Sequence, residues 1–199
     1  LADRLGVTAA SASGMVRKLG ELGLVTHEPY RGVALTGDGR RVALEVIRHH
    51  RLVEAFLHQT LGLPWDQVHA EAERIEHAIS EDLEDRIAEH LGFPKVDPHG
   101  GPIPAKDGTI QARRGLPLGD LPSGQSAEIS LVPDGDPALL RYLAEVGLVP
   151  GAIVTIVERE PFDGPVYLNV IPTSERRAVS PAVCSQILVV PLEVEEHLA

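Results

Sequence analysis

A chain of 199 residues with 43% hydrophobic content is long enough to bury one large core or two to three small ones. No stretch approaches the roughly 18 to 20 apolar residues of a membrane helix, the N-terminus lacks a signal peptide's basic-then-apolar layout, and the single cysteine, Cys184, excludes an intramolecular disulfide, so a cytoplasmic protein is expected. The net charge of −11 argues against nucleic acid on average, but residues 1–51 hold eight Lys/Arg against five Asp/Glu while the rest hold ten against twenty-four, so a basic N-terminal end precedes an acidic body.

The chain opens on Leu1 inside what reads as a short helix, and a further element upstream is expected. Gly6 stops that helix and Thr8 is placed to cap the next, about residues 9–22, whose apolar face is Ala12, Met15, Val16, Leu19 and Leu22. Residues 24–36 then read as two short strands around a Pro/Gly turn. Short helix, tight turn, longer helix and wing make residues 1–43 a predicted winged helix-turn-helix, suited to the major groove of double-stranded DNA. Thr8, Ser11 and Ser13 are candidates to approach base edges and phosphates, with Lys18 and the wing's Arg31 on phosphates. The alternative use of such a module is protein contact or dimerisation.

Two helices follow, about residues 36–61 and 66–91, within a predicted helical domain at 44–96. Their broad apolar surfaces, Val42 to Leu57 on the first and Val68 to Ile87 on the second, suit a dimer interface. Seven of the nine histidines lie between positions 49 and 99. Residues four apart share a helix face, which pairs His50 with Glu54 and His69 with Glu73, and Glu76 and His77 add two donors one turn on. Imidazole with carboxylate suits first-row divalent ions such as Mn, Fe, Co, Ni or Zn, and the lack of thiolates leans away from Cu(I) and structural zinc. His49, His58, His90, His99 and His197 read as surface or satisfied core residues.

Residues 93–118 are rich in Pro and Gly and read as a linker, bounded at 97–118. Beyond it, strand-like segments at 127–132, 152–157, 166–171 and 186–191, with a short helix near 137–146, predict a small β-barrel over 119–192. Cys184 reads as a buried small hydrophobe.

Arg48-His-His-Arg-Leu-Val-Glu54, Val68-His-Ala-Glu-Ala-Glu-Arg-Ile-Glu-His77 with Ser80, and Leu35-Thr-Gly-Asp-Gly39 resemble the diphtheria toxin repressor family of iron- and manganese-dependent regulators. Leu143-Ala-Glu-Val-Gly-Leu-Val-Pro-Gly151 resembles the SH3-like domain of these regulators and of ferrous iron transport accessory proteins. The resemblance implies a mainly α fold with α+β parts: winged helix-turn-helix, helical dimerisation domain and C-terminal SH3-like barrel. It implies a repressor that binds operator DNA as a homodimer when loaded with Mn(II) or Fe(II), with Co, Ni, Zn or Cd as substitutes. By it, Glu73, Glu76 and His77 belong to the activating site, completed by ligands upstream of Leu1, and His50, Glu54 and His69 to an ancillary site, His50 also serving a two-metal cluster in the manganese branch. Aligned on Gly151, Asp136 takes a carboxylate ligand's position and Leu139 that of an amide. Glu73 stands where the iron branch has Cys, which favours Mn(II), whereas His69 and the third domain are iron-branch features.

Two other readings stay open. Glu-x-x-His ligands also build di-iron carboxylate enzymes in helical bundles, though only two helices here carry suitable residues, and a winged-helix regulator can answer to a small molecule. With no nucleophile beside a base and no phosphate loop, no catalysis is assigned.

Overall fold

The computed structural model describes residues 1–28, 32–171 and 175–192. The chain divides into two compact units, Leu1–Arg48 with Pro104–Thr109, and His49–Ile103 with Ile110–Ala199.

In the first unit, α1 (Ala2–Leu5) ends at Gly6, whose φ of 63° is the left-handed cap that glycine adopts without strain. Helix α2 (Ala9–Glu21) begins where the Thr8 hydroxyl accepts the Ser11 amide. Strands β1 (Val25–Glu28) and β2 (Gly32–Leu35) pair antiparallel from Val25↔Leu35 to Glu28↔Gly32, as expected of a wing. Arg31, expected at its tip, lies outside the described residues. Thr36 caps the following helix: its hydroxyl accepts the Gly39 amide at 3.0 Å and donates to the Gly23 carbonyl at 2.7 Å. Gly39 is pressed so closely on this junction that a Cβ would fall 1.9 Å from the Leu24 carbonyl oxygen, so no other residue fits.

Helix α3 (Gly37–Gln59) runs unbroken from the first unit into the second. The long helix read over 66–91 is in fact two, α4 (Val68–Ile75) and α5 (Glu81–His90). Ser80 decides this, because its hydroxyl caps Leu83 and the following Glu81, Asp82 and Glu84 suit a helix N-terminus. The chain leaves helical geometry between them, and that turn carries His77. Leu52, Ile87, Ala88 and Ile103 form one apolar cluster, and Val53, Leu57, Val68 and Ala72 another.

The rest of the second unit is a six-stranded antiparallel sheet in the order β3-β8-β4-β5-β6-β7, from β3 (Leu116–Pro117), β4 (Ser126–Leu131), β5 (Ile153–Arg159), β6 (Val166–Ile171), β7 (Glu175–Val179) and β8 (Leu188–Pro191). Helix α6 (Pro137–Glu145) closes over it, with α7 (Pro181–Cys184) before the last strand. Leu118, Ile129, Leu140, Leu143, Leu168 and Ile187 are buried at its centre, and Cys184 joins them as a small hydrophobe. Strand β7 escaped the sequence reading because Glu175-Arg-Arg-Ala-Val179 is an edge strand whose charges mask its alternation.

The first part of the stretch read as a linker is buried, at Asp97 and residues 99–104, while residues 105–107 and 111–115 are exposed. Gly100 allows the chain to touch strand β4, since a Cβ there would sit 2.0 Å from the Ser130 carbonyl oxygen. Proline and glycine here serve close approach rather than flexibility.

Candidate metal centre

Helix α3 sets His50 and Glu54 one turn apart, and the predicted pair forms: His50 Nε2 lies 3.0 Å from Glu54 Oε1. His69, from α4, brings Nδ1 to 3.0 Å from the same oxygen and 2.9 Å from His50 Nε2. Cis donors around an ion at about 2.1 Å stand about 3 Å apart, so this triangle has the dimensions of three neighbouring ligands. Glu76, capping the end of α4, reaches His50 Nδ1 with Oε2 at 2.5 Å. His50 thus faces both ligand sets distinguished in the sequence.

Burial favours neutral His50, but hydrogen bonds and charge from Glu54 and Glu76 outweigh it and push its pKa up to about 9. Burial would raise Glu54, yet the His50 hydrogen bond and charge dominate and lower it. A proton therefore holds the carboxylates together in the metal-free protein. Two more of the predicted ligands, Glu73 and His77, are peripheral. Glu73 is 65% exposed, its Oε1 3.7 Å from His69 Nε2, and His77 is 74% exposed, its Nε2 3.3 Å from Glu76 Oε1.

Two residues not proposed from sequence complete a second group around Glu54. Glu54, Asp97 and His99 are all buried and bring one donor atom each within 4.8 Å of one another. His99 stacks on Trp65 and bonds its carbonyl through Nε2 at 2.8 Å. A carbonyl only accepts, so Nε2 donates, and Nδ1 is turned toward Glu54 Oε2, 4.0 Å away. Asp97 Oδ1 accepts the His99 and Gly101 amides, while Oδ2 sits 3.2 Å from Arg51 Nε. Burial first, then the Glu54 charge, raises the Asp97 pKa. Glu54 Oε2, Asp97 Oδ2 and His99 Nδ1 are buried without hydrogen-bond partners. Three convergent nitrogen and oxygen atoms without hydrogen-bond partners fit a divalent cation. The available signal was Asp-x-His inside the Pro/Gly stretch, which resembles an ordinary turn.

Asp136 does not join either group. Its Oδ1 accepts the Ala138 and Leu139 amides as the cap of α6, at 2.8 and 3.3 Å. Asp134, two residues earlier, lines a cavity of about 280 Å³ shared with His99, Arg51 and Arg113. His49 pairs instead with buried Glu84, at 2.6 Å.

On the winged helix, Thr8 and Ser11 hydroxyls lie 2.9 Å apart at the start of α2, and Ser13 and Lys18 are exposed. Ser13 also lines an open groove of about 580 Å³ with Ala9, Val16, Arg17 and Val33.

The sequence matches the N-terminal DNA-binding domain of iron-dependent repressors over residues 1–33, their metal binding and dimerisation domain over 36–105, and the FeoA domain over 116–191. It is 36% identical over 168 residues to the iron-dependent repressor IdeR of Mycobacterium tuberculosis, covering 78% of this chain and 73% of that protein. It is 34% identical to the diphtheria toxin repressor of Corynebacterium efficiens, covering 80% and 74%. A solved manganese-dependent transcriptional repressor in complex with manganese superimposes with a TM-score of 0.89 at 40% identity, covering 96% of this chain and 88% of that one. The chain belongs to the diphtheria toxin repressor family of iron- and manganese-dependent regulators.

Proposed function

We propose that this protein is a metal-dependent transcriptional repressor, a homodimer that grips operator DNA when its His/carboxylate centre is loaded. The observation that carries this reading is one helix, α3, that starts beside the wing and toward its end carries Glu54, shared by two donor groups, one of them fully buried. The ion acts by differential affinity, favouring the conformation in which two recognition helices meet successive major grooves. Thr8, Ser11 and Ser13 would lie toward bases, with Lys18 and Arg31 on phosphates. Exposed Ile75, Leu83 and Phe93 supply apolar surface for the dimer.

All donors are nitrogen or oxygen, and Cys184 is buried in the barrel core. This supports Mn(II) as activator, then Fe(II), with Co, Ni, Zn or Cd able to substitute. His50, Glu54, His69, Asp97 and His99 would hold the ion or ions of the two donor groups, and Glu76, with the exposed Glu73 and His77, those of the activating site. The carboxylates supply charge, while Trp65 fixes the His99 tautomer. Among the described residues no helix is long and apolar enough to cross a membrane. The relatives being repressors argues against a di-metal enzyme.

The test is fluorescence anisotropy of the full-length protein on its own promoter during anaerobic Mn(II) and Fe(II) titration. Tight binding that needs metal and reverses on chelation is expected, and equal binding without metal would return the small-molecule regulator to first place.

Metal uptake must also displace the His50 proton, so apparent affinity rises with pH up to about 9 and uptake releases protons. The metal-free fold behaves oppositely: a folded pKa above the unfolded 6.5 contributes stability that is complete below 6.5 and lost as pH rises through about 9. Calorimetry in buffers of different ionisation heat measures the release, and a pH-independent affinity contradicts His50 as a ligand. Trp65 is the only tryptophan and stacks on His99. Mn(II), being paramagnetic, should quench it saturably. Quenching that survives in His99→Ala would place the ion elsewhere.

A further inference from the structure

Leu44, Arg48, Arg51 and Glu54 follow one another on α3 at steps of four, three and three, and therefore share a face. The segment 97–109 meets this face residue by residue. Asp97 and His99 lie at Glu54. Arg51 reaches Asp97 and donates through Nη1 to the Pro102 carbonyl. Arg48 donates through Nη1 to the Pro104 carbonyl at 2.8 Å. Leu44 packs toward Gly108, where a Cβ would sit 4.0 Å from its Cδ1.

The strap is also stiff. Prolines at 98, 102 and 104 fix its φ angles. Its backbone is tied by Ile103 N–H to the Lys95 carbonyl at 2.9 Å, and Ala105 N–H to the Thr109 carbonyl at 2.8 Å. Asp107 caps the closing turn through the Thr109 amide and hydroxyl. The first end carries two candidate ligands, and the last, residues 104–109, belongs to the same compact unit as the winged helix.

We infer that Arg48 and Arg51 are positioning residues that hold this strap on α3, so that a cation drawn between Glu54, Asp97 and His99 fixes the strap and, through its far end, biases the DNA-binding unit. A cation there would bridge Glu54 on α3 to Asp97 and His99 on the strap, joining three buried atoms that have no hydrogen-bond partner. The inference rests on the repressor reading and gives its metal response a path.

The test compares the full-length protein with Arg48→Met, which keeps the aliphatic stem and removes the donors. In the unaltered protein, Mn(II) should raise hydrogen-exchange protection of the Ile103 and Gly108 amides. In R48M, Mn(II) affinity by calorimetry and DNA affinity without metal should stay within about twofold, while the metal-induced gain in DNA affinity falls roughly tenfold. Unchanged protection in the unaltered protein, or a full gain in R48M, overturns the strap alone. Metal-independent DNA binding by the unaltered protein overturns the repressor reading and the strap with it. The exchange measurement decides the matter even where the variant fails to fold.

Discussion

Glu54→Gln is expected to weaken Mn(II) binding by at least about 100-fold and to leave the metal-free protein folded, with a melting temperature below that of the unaltered protein. Loss of a partner beyond the ligands already costs 10- to 100-fold in such centres, and Glu54 is the one residue common to both donor groups. One oxygen faces His50 and His69 and the other faces His99. Glutamine keeps the shape and can still accept from the imidazoles, but it removes a charge held in the interior at 0% exposure. The substitution removes one partner of a buried ion pair, which is destabilising, although Glu76 still faces His50 Nδ1 and limits the loss. In the metal-free state it also relieves the pressure that raises Asp97. Calorimetry for the metal and thermal unfolding with and without Mn(II) measure both halves. An unchanged metal-free melting temperature would show that Glu54 does not hold His50 before metal binds, and unchanged affinity would remove Glu54 from the site.

His77→Ala and Glu76→Ala are expected to abolish metal-dependent DNA binding while leaving the dimer assembled. The two differ in how they reach that result. His77 is largely exposed on the turn after α4, with its ring beside Glu76, so removing it costs the fold little. Glu76 is mostly buried and holds His50, so Glu76→Ala should also lower the His50 pKa toward its ordinary value. Anisotropy on operator DNA, sedimentation for the dimer, and histidine NMR titration read these three quantities. If both variants still bind DNA in response to metal, the activating site lies elsewhere. If His77→Ala dissociates the dimer, the loss of DNA binding is structural and the assignment of His77 as a ligand fails.

Both variants probe residues that helical spacing alone brought forward. A helix fixes the relation of i and i+4 wherever it forms, so His50 with Glu54 and His69 with Glu73 were readable once helices were inferred from apolar periodicity. The winged helix was readable for a similar reason: Gly6, Thr8 and Thr36 punctuate the chain by local chemistry, and each does so in the structure. The barrel's inner strands announced themselves by alternation.

What failed to show in the sequence depends on where the chain returns. Whether α4 continued past Ile75 turned on a cap at Ser80 outweighing an apolar pattern that ran on to Ile87. Asp97 and His99 lie more than forty residues beyond Glu54, and no periodicity connects them. Their grouping exists because Gly100 lets the backbone lie against strand β4, Trp65 orients the imidazole and Arg51 meets the carboxylate. Elements, donor types and local pairs therefore follow from the order of residues, since short-range geometry sets them. That Glu54 is shared, that Asp136 is a cap, and that the Pro/Gly stretch is a buried strap are properties of the folded chain, because each depends on long-range contacts whose partners are not marked in advance.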